Sequence, residues 1–325
     1  MLVSYETASQ LIEGGRLLHI AGTEALLKKL PKGKWIGGST EYFMAKEGGK
    51  VSGDLLFVTD FSKTKSVYEK FKIQSYDEKN ICKVSSDAYE NGFTILIVPF
   101  DSAVHKEYAQ NAADYEYMFM RRIAGWISGL NLGKQGQTPV AINGLTGEAF
   151  SDKAVALHLQ TKEDKTVSVN IINIFEQDTD SPVIEFAEEG FHVKKCLVNG
   201  KELVLADYIA KNKIDTKIPI VGDYSGSGVI ISFKSIENGI VNFYAPVFQG
   251  IKYRIAKPVS DYVALFNKHI SEHTDETSAF SCNCILNFLY GNLENNKIEA
   301  FAGPITFGEI AYQLVNQTLV YVTVI

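Results

Sequence analysis

Few side chains in this 325-residue sequence are spaced for chemistry, and the most suggestive group is His269-Ile-Ser-Glu272-His273. H-x-x-E-H puts two histidines one helical turn apart beside a Glu, the set with which inverted zinc peptidases hold Zn²⁺ and a general base. At ~100° per residue, His273 falls near Phe266 and His269 near Tyr262, on the apolar side of a helix. A third ligand would have to come from Glu294, Glu299 or Glu309. The same histidines suit a packed helix end, where the dipole favours them, and that role, with no metal, is our expectation.

Ser281-Cys282-Asn283-Cys284 lies between apolar stretches. On a strand Cys282 and Cys284 point to one face, too close for an unstrained bridge. They read as small buried thiols; the sharper reading is a pocket-wall nucleophile or redox sensor with a lowered pKa. Gly226-Ser227-Gly228 lacks a third glycine and is followed by a hairpin where a helix is required, so it is no phosphate loop. Polar turns beside apolar strands remain: Ser39, Thr40 and Glu41; Asp223, Tyr224 and Ser225; Tyr253 and Arg254; Thr306 and Glu309. Arg254 is the most informative, because its fork suits a carboxylate or phosphate, on a ligand or on a neighbouring Glu.

The elements that must position these groups alternate between helix and strand. Residues 8–12 read as an amphipathic stretch, 16–21 as a strand, and 23–30 as a helix capped by Thr23 and stopped by Pro31-Lys32-Gly33. Residues 35–38 return as a strand. The continuous apolar runs 54–61 and 93–98 suggest strands covered on both faces. Asp101 or Ser102 caps a helix whose apolar positions Val104, Tyr108, Ala112, Tyr115 and Phe119 lead to Arg121 and Arg122. After a Gly-rich passage (125–147), residues 154–160 and 166–175 alternate as strands of a hairpin turned by 162–165. A second hairpin, 229–234 with 240–245, turns at Asn238-Gly239. The polar stretch 177–182 marks a domain boundary. Trp35-Ile-Gly-Gly-Ser-Thr-Glu is echoed by Phe301-Ala-Gly-Pro-Ile-Thr-Phe-Gly-Glu, which suggests a duplicated architecture. The fold class is α/β (α+β), in two domains of mixed β-sheets flanked by helices.

Composition narrows the function. The chain carries 46% hydrophobic residues, and 32 Lys+Arg against 38 Asp+Glu give a net charge of −6. No basic face is offered to nucleic acid. Apolar runs fall far short of the ~18 residues a membrane span needs, and the N-terminal residues have no signal-peptide pattern. Four cysteines are too few for a disulfide scaffold. These features point to a cytoplasmic protein with no cofactor, no nucleic-acid partner and no membrane partner.

Read together, Trp35-Ile-Gly-Gly-Ser-Thr, Gly125-Trp-Ile-Ser-Gly, Val221-Gly-Asp-Tyr-Ser, Tyr244-Ala-Pro-Val-Phe-Gln-Gly-Ile-Lys-Tyr-Arg-Ile-Ala, Phe280-Ser-Cys and Gly303-Pro-Ile-Thr-Phe-Gly-Glu-Ile resemble the FIST sensory-domain family and a bacterial branch related to it. The resemblance implies an N-terminal FIST-like domain over 1–180 and a C-terminal one over 181–325, sensing small ligands such as amino acids in intracellular signalling. By that analogy Ser281, Cys282, Thr306, Gly308 and Glu309 would line the C-terminal site. The motif departs from the family after Ser-Cys, where Asn283-Cys284 replaces an arginine. A signalling role implies a separate, unidentified signalling protein as output partner. The leading expectation is a non-catalytic sensor of an amino acid or other carboxylate. Arg254 would clamp the carboxylate, Ser281 and Thr306 would hold polar atoms, and Tyr253 or Tyr224 would cover the apolar part. The alternatives are an enzyme using Cys282 as nucleophile with Glu309 or a histidine as base, and a protein-interaction scaffold.

Overall fold

The computed structural model describes residues 1–64, 68–134, 136–224, 227–271, 278–298 and 301–325. Capping sets the first helices. Ser4 Oγ accepts from the Thr7 N–H at 3.3 Å and opens α1 (Tyr5–Glu13). Thr23 Oγ1 accepts from the Leu26 N–H, also at 3.3 Å, and opens the short α2 (Glu24–Leu27); each cap satisfies a backbone donor that the first turn leaves unpaired. Around them run β1 (Leu2–Val3), β2 (Leu18–Gly22), β3 (Trp35–Ser39), β4 (Tyr42–Ala45), β5 (Gly48–Val51) and β6 (Leu56–Asp60). The plan then repeats with β7 (Tyr68–Tyr76), α3 (Lys83–Ser86), β8 (Gly92–Pro99), α4 (Ala103–Asn111), β9 (Ile123–Ser128), β10 (Ala141–Asn143), β11 (Glu148–Phe150) and β12 (Ala154–Thr161).

After β13 (Val167–Ile172) the chain forms β14 (Ile184–Glu185), β15 (Gly190–Val193), β16 (Lys195–Val198), β17 (Lys201–Val204), α5 (Leu205–Asn212), β18 (Ile220–Tyr224), β19 (Ser227–Ile231), β20 (Phe233–Glu237), β21 (Ile240–Val247), β22 (Lys252–Ile255) and α6 (Tyr262–Ser271). It ends with β23 (Ser278–Cys284), α7 (Ile285–Tyr290), β24 (Gly303–Thr306), β25 (Glu309–Ala311), β26 (Gln313–Val315) and β27 (Leu319–Val324).

Three six-stranded sheets share one plan: β1-β6-β2-β3-β10-β11, β7-β12-β8-β9-β25-β26 and β13-β27-β23-β24-β4-β5. At the centre of each is a parallel pair joined by a helix, β2-α2-β3, β8-α4-β9 or β23-α7-β24. Antiparallel strands flank every pair, β6 and β10, β12 and β25, or β27 and β4. The outer hairpin always comes from another repeat: β4–β5 joins the third sheet, β10–β11 the first and β25–β26 the second. This exchange is cyclic, so the three repeats close a ring with approximate three-fold symmetry. The duplication suggested by the sequence echo is thus a triplication.

Register supports the equivalence residue by residue. Ile20 lies opposite Gly37, and Leu96 opposite Gly125; the pairing of Asn283 with Ile305 puts Gly303 opposite Ser281 in the same way. At all three glycines an added methyl would run into the carbonyl oxygen of its partner, Ile20, Leu96 or Ser281. Counting from them, Ser39, Ile127 and Ile305 are equivalent, as are Thr40, Ser128 and Thr306, and Glu41, Gly129 and Phe307. Hydrogen bonds run round this ring: Gly129 N–H donates to Ser39 O at 2.8 Å, Phe307 N–H to Ile127 O at 3.0 Å and Thr40 Oγ1 to Ile305 O at 2.8 Å.

The chain divides into two compact units, one of Met1–Ile172, Asn267–Leu314 and Thr318–Ile325, the other of Asn173–Phe266 and Val315–Gln317. The first holds the three repeats, and the second is inserted between β13 and β23. A crossing falls at 172/173, near the expected boundary, but the chain returns at 267, so the last strands belong with the N-terminal ones. The inserted unit has a sheet in the order β17-β16-β14-β22-β18-β19 and a smaller one, β15-β21-β20. Asn238 and Gly239, at φ 52° and 76°, turn β20 into β21 as the Asn-Gly spelling requires.

Three expectations change. Residues 229–234 do not form one hairpin strand: β19 ends at Ile231 and pairs with β18, and only β20, from Phe233, pairs with β21. The helix after Ser102 ends at Asn111 and gives way to short 3₁₀ turns, with Tyr117 at φ 64°; Asn111 and Asp114 favour turns over continued helix. Residues 154–160 and 166–175 do not pair with each other: β12 lies between β7 and β8, whereas β13 pairs with β27. Alternation identifies a half-covered strand and says nothing of its partner.

Candidate functional site

The C-terminal ends of β2, β3 and β9 in the first unit border a cleft of about 230 Å³ lined by Thr23, Glu24, Ser39, Thr40, Glu41, Gly53, Gly129 and Lys134, among others. Crevices beyond the carboxyl ends of parallel strands are where such sheets usually hold ligands. Glu41 is buried, 5% exposed. Lys134 Nζ donates to its Oε1 and Oε2 at 2.8 and 2.9 Å, and Asn131 Nδ2 donates to Oε2 at 3.0 Å. The Leu132 N–H donates to the Tyr42 hydroxyl at 3.1 Å, fixing the same loop. A methyl on Gly53 would stand 3.6 Å from Glu41 Oε2 and 3.9 Å from Lys134 Nζ, so the ion pair borders the space that this glycine leaves open.

The three-fold plan explains why this junction is open. The positions equivalent to Glu24, Glu41 and Gly129 are Phe100, Gly129 and Phe307 at the next junction. There the Phe100 and Phe307 rings meet at 5.8 Å, and a methyl on Gly129 would strike the Phe307 ring. At the third junction these positions are Ile285, Phe307 and Glu41, and Tyr42 packs on Phe288 at 5.6 Å. These two junctions are occupied by aromatic rings, whereas the first presents charged and hydroxyl groups around a glycine.

The residues expected at a site fall in both units. In the inserted unit, an Arg254 guanidinium nitrogen donates to the Thr179 carbonyl at 3.1 Å and to the Ser181 carbonyl. Its guanidinium therefore holds the chain where it enters this unit, and among the described residues no side-chain carboxylate meets it. Tyr253 is fully buried; its hydroxyl accepts from the Phe248 N–H at 2.9 Å and lies 3.2 Å from the Tyr224 hydroxyl. Asp223 is exposed on β18. Ser225, Gly226, Glu272, His273 and Glu299 lie outside the described residues. His269 is on α6, and no cluster of metal-ligating side chains occurs among the described residues.

In the first unit the structure does gather Cys282, Thr306, Gly308 and Glu309, but as interior. Glu309 is fully buried: Oε1 lies 2.8 Å from Thr306 Oγ1, and Oε2 accepts from the Thr318 hydroxyl at 2.9 Å and the Thr318 N–H at 3.3 Å. Burial pushes its carboxyl up to about 8, although the Thr306 and Thr318 hydrogen bonds oppose this. Cys282 donates to the Gly125 carbonyl at 3.3 Å, and burial, with Glu309 beside it, holds its thiol well above the usual range. Ser281 donates to the Ala302 carbonyl at 3.0 Å, and Gly308 adopts φ 150° before β25. Of the cleft residues, the sequence pattern singles out Ser39, Thr40 and Glu41; it shows Thr23 only as a cap and Lys134 only as part of the Gly-rich passage, and it does not mark Gly53.

Fold and cleft together define a class: a triplicated α+β body with an inserted unit and one polar junction. The family model described as "Family of unknown function (DUF6976)" matches residues 3–325, and the chain belongs to that family. No curated protein matches it. No helix among the described residues is long and apolar enough to cross a membrane.

Proposed function

We propose that this protein is a cytoplasmic, non-catalytic sensor that binds a small molecule, an amino acid or other small carboxylate, and passes the signal to a separate protein. The observation that carries the reading is the one polar junction left open where aromatic rings occupy its two equivalents. A cleft of about 230 Å³ is at the small end for ligand sites, which suits a metabolite of a few heavy atoms. Its convergent polar groups hold orientation, and the resemblance to FIST domains supports a sensing role. The site sits in the first unit, at Glu41 and Lys134, instead of at Arg254, whose donors meet backbone carbonyls.

Thermal-shift screening with amino acids and organic acids tests this. A ligand at 100 times its Kd adds ~2.7 kcal/mol of stability. Gly53→Leu, which projects a side chain toward the ion pair, should remove the response and leave the protein folded. A response that survives Gly53→Leu places the ligand elsewhere.

A further inference from the structure

Resting on that reading, we propose that the group this cleft recognises is a cationic nitrogen of the ligand, received by Glu41 in place of Lys134. The lining carries two carboxylates, Glu24 and Glu41, and one ammonium, Lys134. Glu24 is tied to Lys28 one helical turn on, at 2.5 Å. Glu41 differs in burial: its side chain is 6% exposed, whereas that of Lys134 is 48% exposed. A buried carboxylate needs a counter-charge, and removing that charge alone is strongly unfavourable. The exchangeable member of the pair is therefore the lysine, a flexible stem reaching in from a surface loop. A ligand bearing only a carboxylate has to draw Lys134 away and leaves Glu41 uncompensated. A ligand ammonium takes over the same two oxygens, Asn131 keeps its bond to Oε2, and Lys134 is released to water or to an acid group on the ligand.

Chain-matched probes separate the charges: n-butylamine, butyrate and 4-aminobutyrate, each titrated by calorimetry and thermal shift against the intact protein. Butylamine and 4-aminobutyrate should bind and butyrate should not. Lys134→Met removes the internal competitor and should tighten butylamine at least five-fold. Glu41→Gln should weaken it at least ten-fold. Lys134→Met, which leaves Glu41 in place, decides the matter if Glu41→Gln does not fold. Butyrate binding more tightly than butylamine, or Lys134→Met weakening butylamine, overturns the assignment. Organic acids that bind in a Gly53→Leu-sensitive way without any amine binding overturn the cation and keep the small-ligand reading. No response to these probes or to the wider panel overturns both.

Discussion

Glu309 and Cys282 show how burial decides what a reactive side chain can do. The Thr306 hydroxyl lies 3.1 Å from the Asn283 carbonyl and 2.8 Å from Glu309 Oε1. The one hydroxyl proton is divided between these two acceptors, so it compensates a Glu309 charge less than an undivided bond would. Burial, which raises the carboxyl to about 8, favours the neutral acid near pH 7. Cys282, beside it, stays a thiol, and a thiol is a poor nucleophile compared with its thiolate. Cys82 is exposed, whereas Cys196, Cys282 and Cys284 are buried. Iodoacetamide at neutral pH, followed by peptide mass mapping, should label Cys82 within minutes and the others only on unfolding. Rapid labelling of Cys282 in the native protein would restore the enzyme reading that its surroundings disfavour.

At the scale of elements, the exchanged hairpins make each repeat depend on its neighbours, and the ring positions are where this is tested. Gly129 and Phe307 are equivalent residues of successive repeats, packed so closely that a methyl on the first meets the ring of the second. Gly129→Ala should destabilise by about 1–3 kcal/mol through overpacking, and Phe307→Ala by about 3–5 kcal/mol through the cavity it leaves. Combined, the two should be at least 1 kcal/mol less destabilising than their sum, because the shorter side chain makes room for the methyl; additive urea-unfolding energies would refute the contact. The sequence made much of this local structure legible. The caps Ser102 and Thr23, the buried run of β8 and the Asn238-Gly239 turn all follow from short-range rules. The echo between 35–41 and 301–309 aligned Gly37 with Gly303 and Thr40 with Thr306, as the register does. It misaligned the acids: Glu309 opposes Trp126 as Phe43 opposes Pro304, so its equivalent is Phe43. Partner choice escaped, because β4, β10 and β25 each pair outside their own repeat, and no local pattern encodes that. Lys134 escaped as a site residue for the same reason: it meets Glu41 across 93 positions.

At the scale of the whole molecule, the buried His19, His158 and Glu309 set opposing demands on pH. His19 accepts from Trp126 Nε1 at 2.9 Å, joining the first two repeats, and burial lowers it to about 3. His158, between Thr94 at 2.7 Å and Tyr76 at 3.0 Å, is likewise lowered to about 3 by burial, with Lys72 adding to it. A histidine held neutral gives stability that is present above its ordinary value of 6.5 and lost as pH falls toward the folded value. Glu309, raised from 4.5 to about 8, works the other way: its contribution is complete below 4.5 and lost as pH climbs through 8. Between 4.5 and 6.5 the unfolded chain binds two histidine protons and the folded chain one carboxyl proton, so stability rises with pH. Between 6.5 and 8 only the folded chain binds a proton, and stability falls. Each slope is about 1.4 kcal/mol per pH unit for one proton of difference. Urea midpoints measured from pH 4 to 9 should therefore peak near 6.5. Glu309→Gln should abolish the alkaline decline and leave a plateau, with the acid limb intact. A maximum and alkaline slope unchanged by that substitution would show that Glu309 is ionised inside the folded ring.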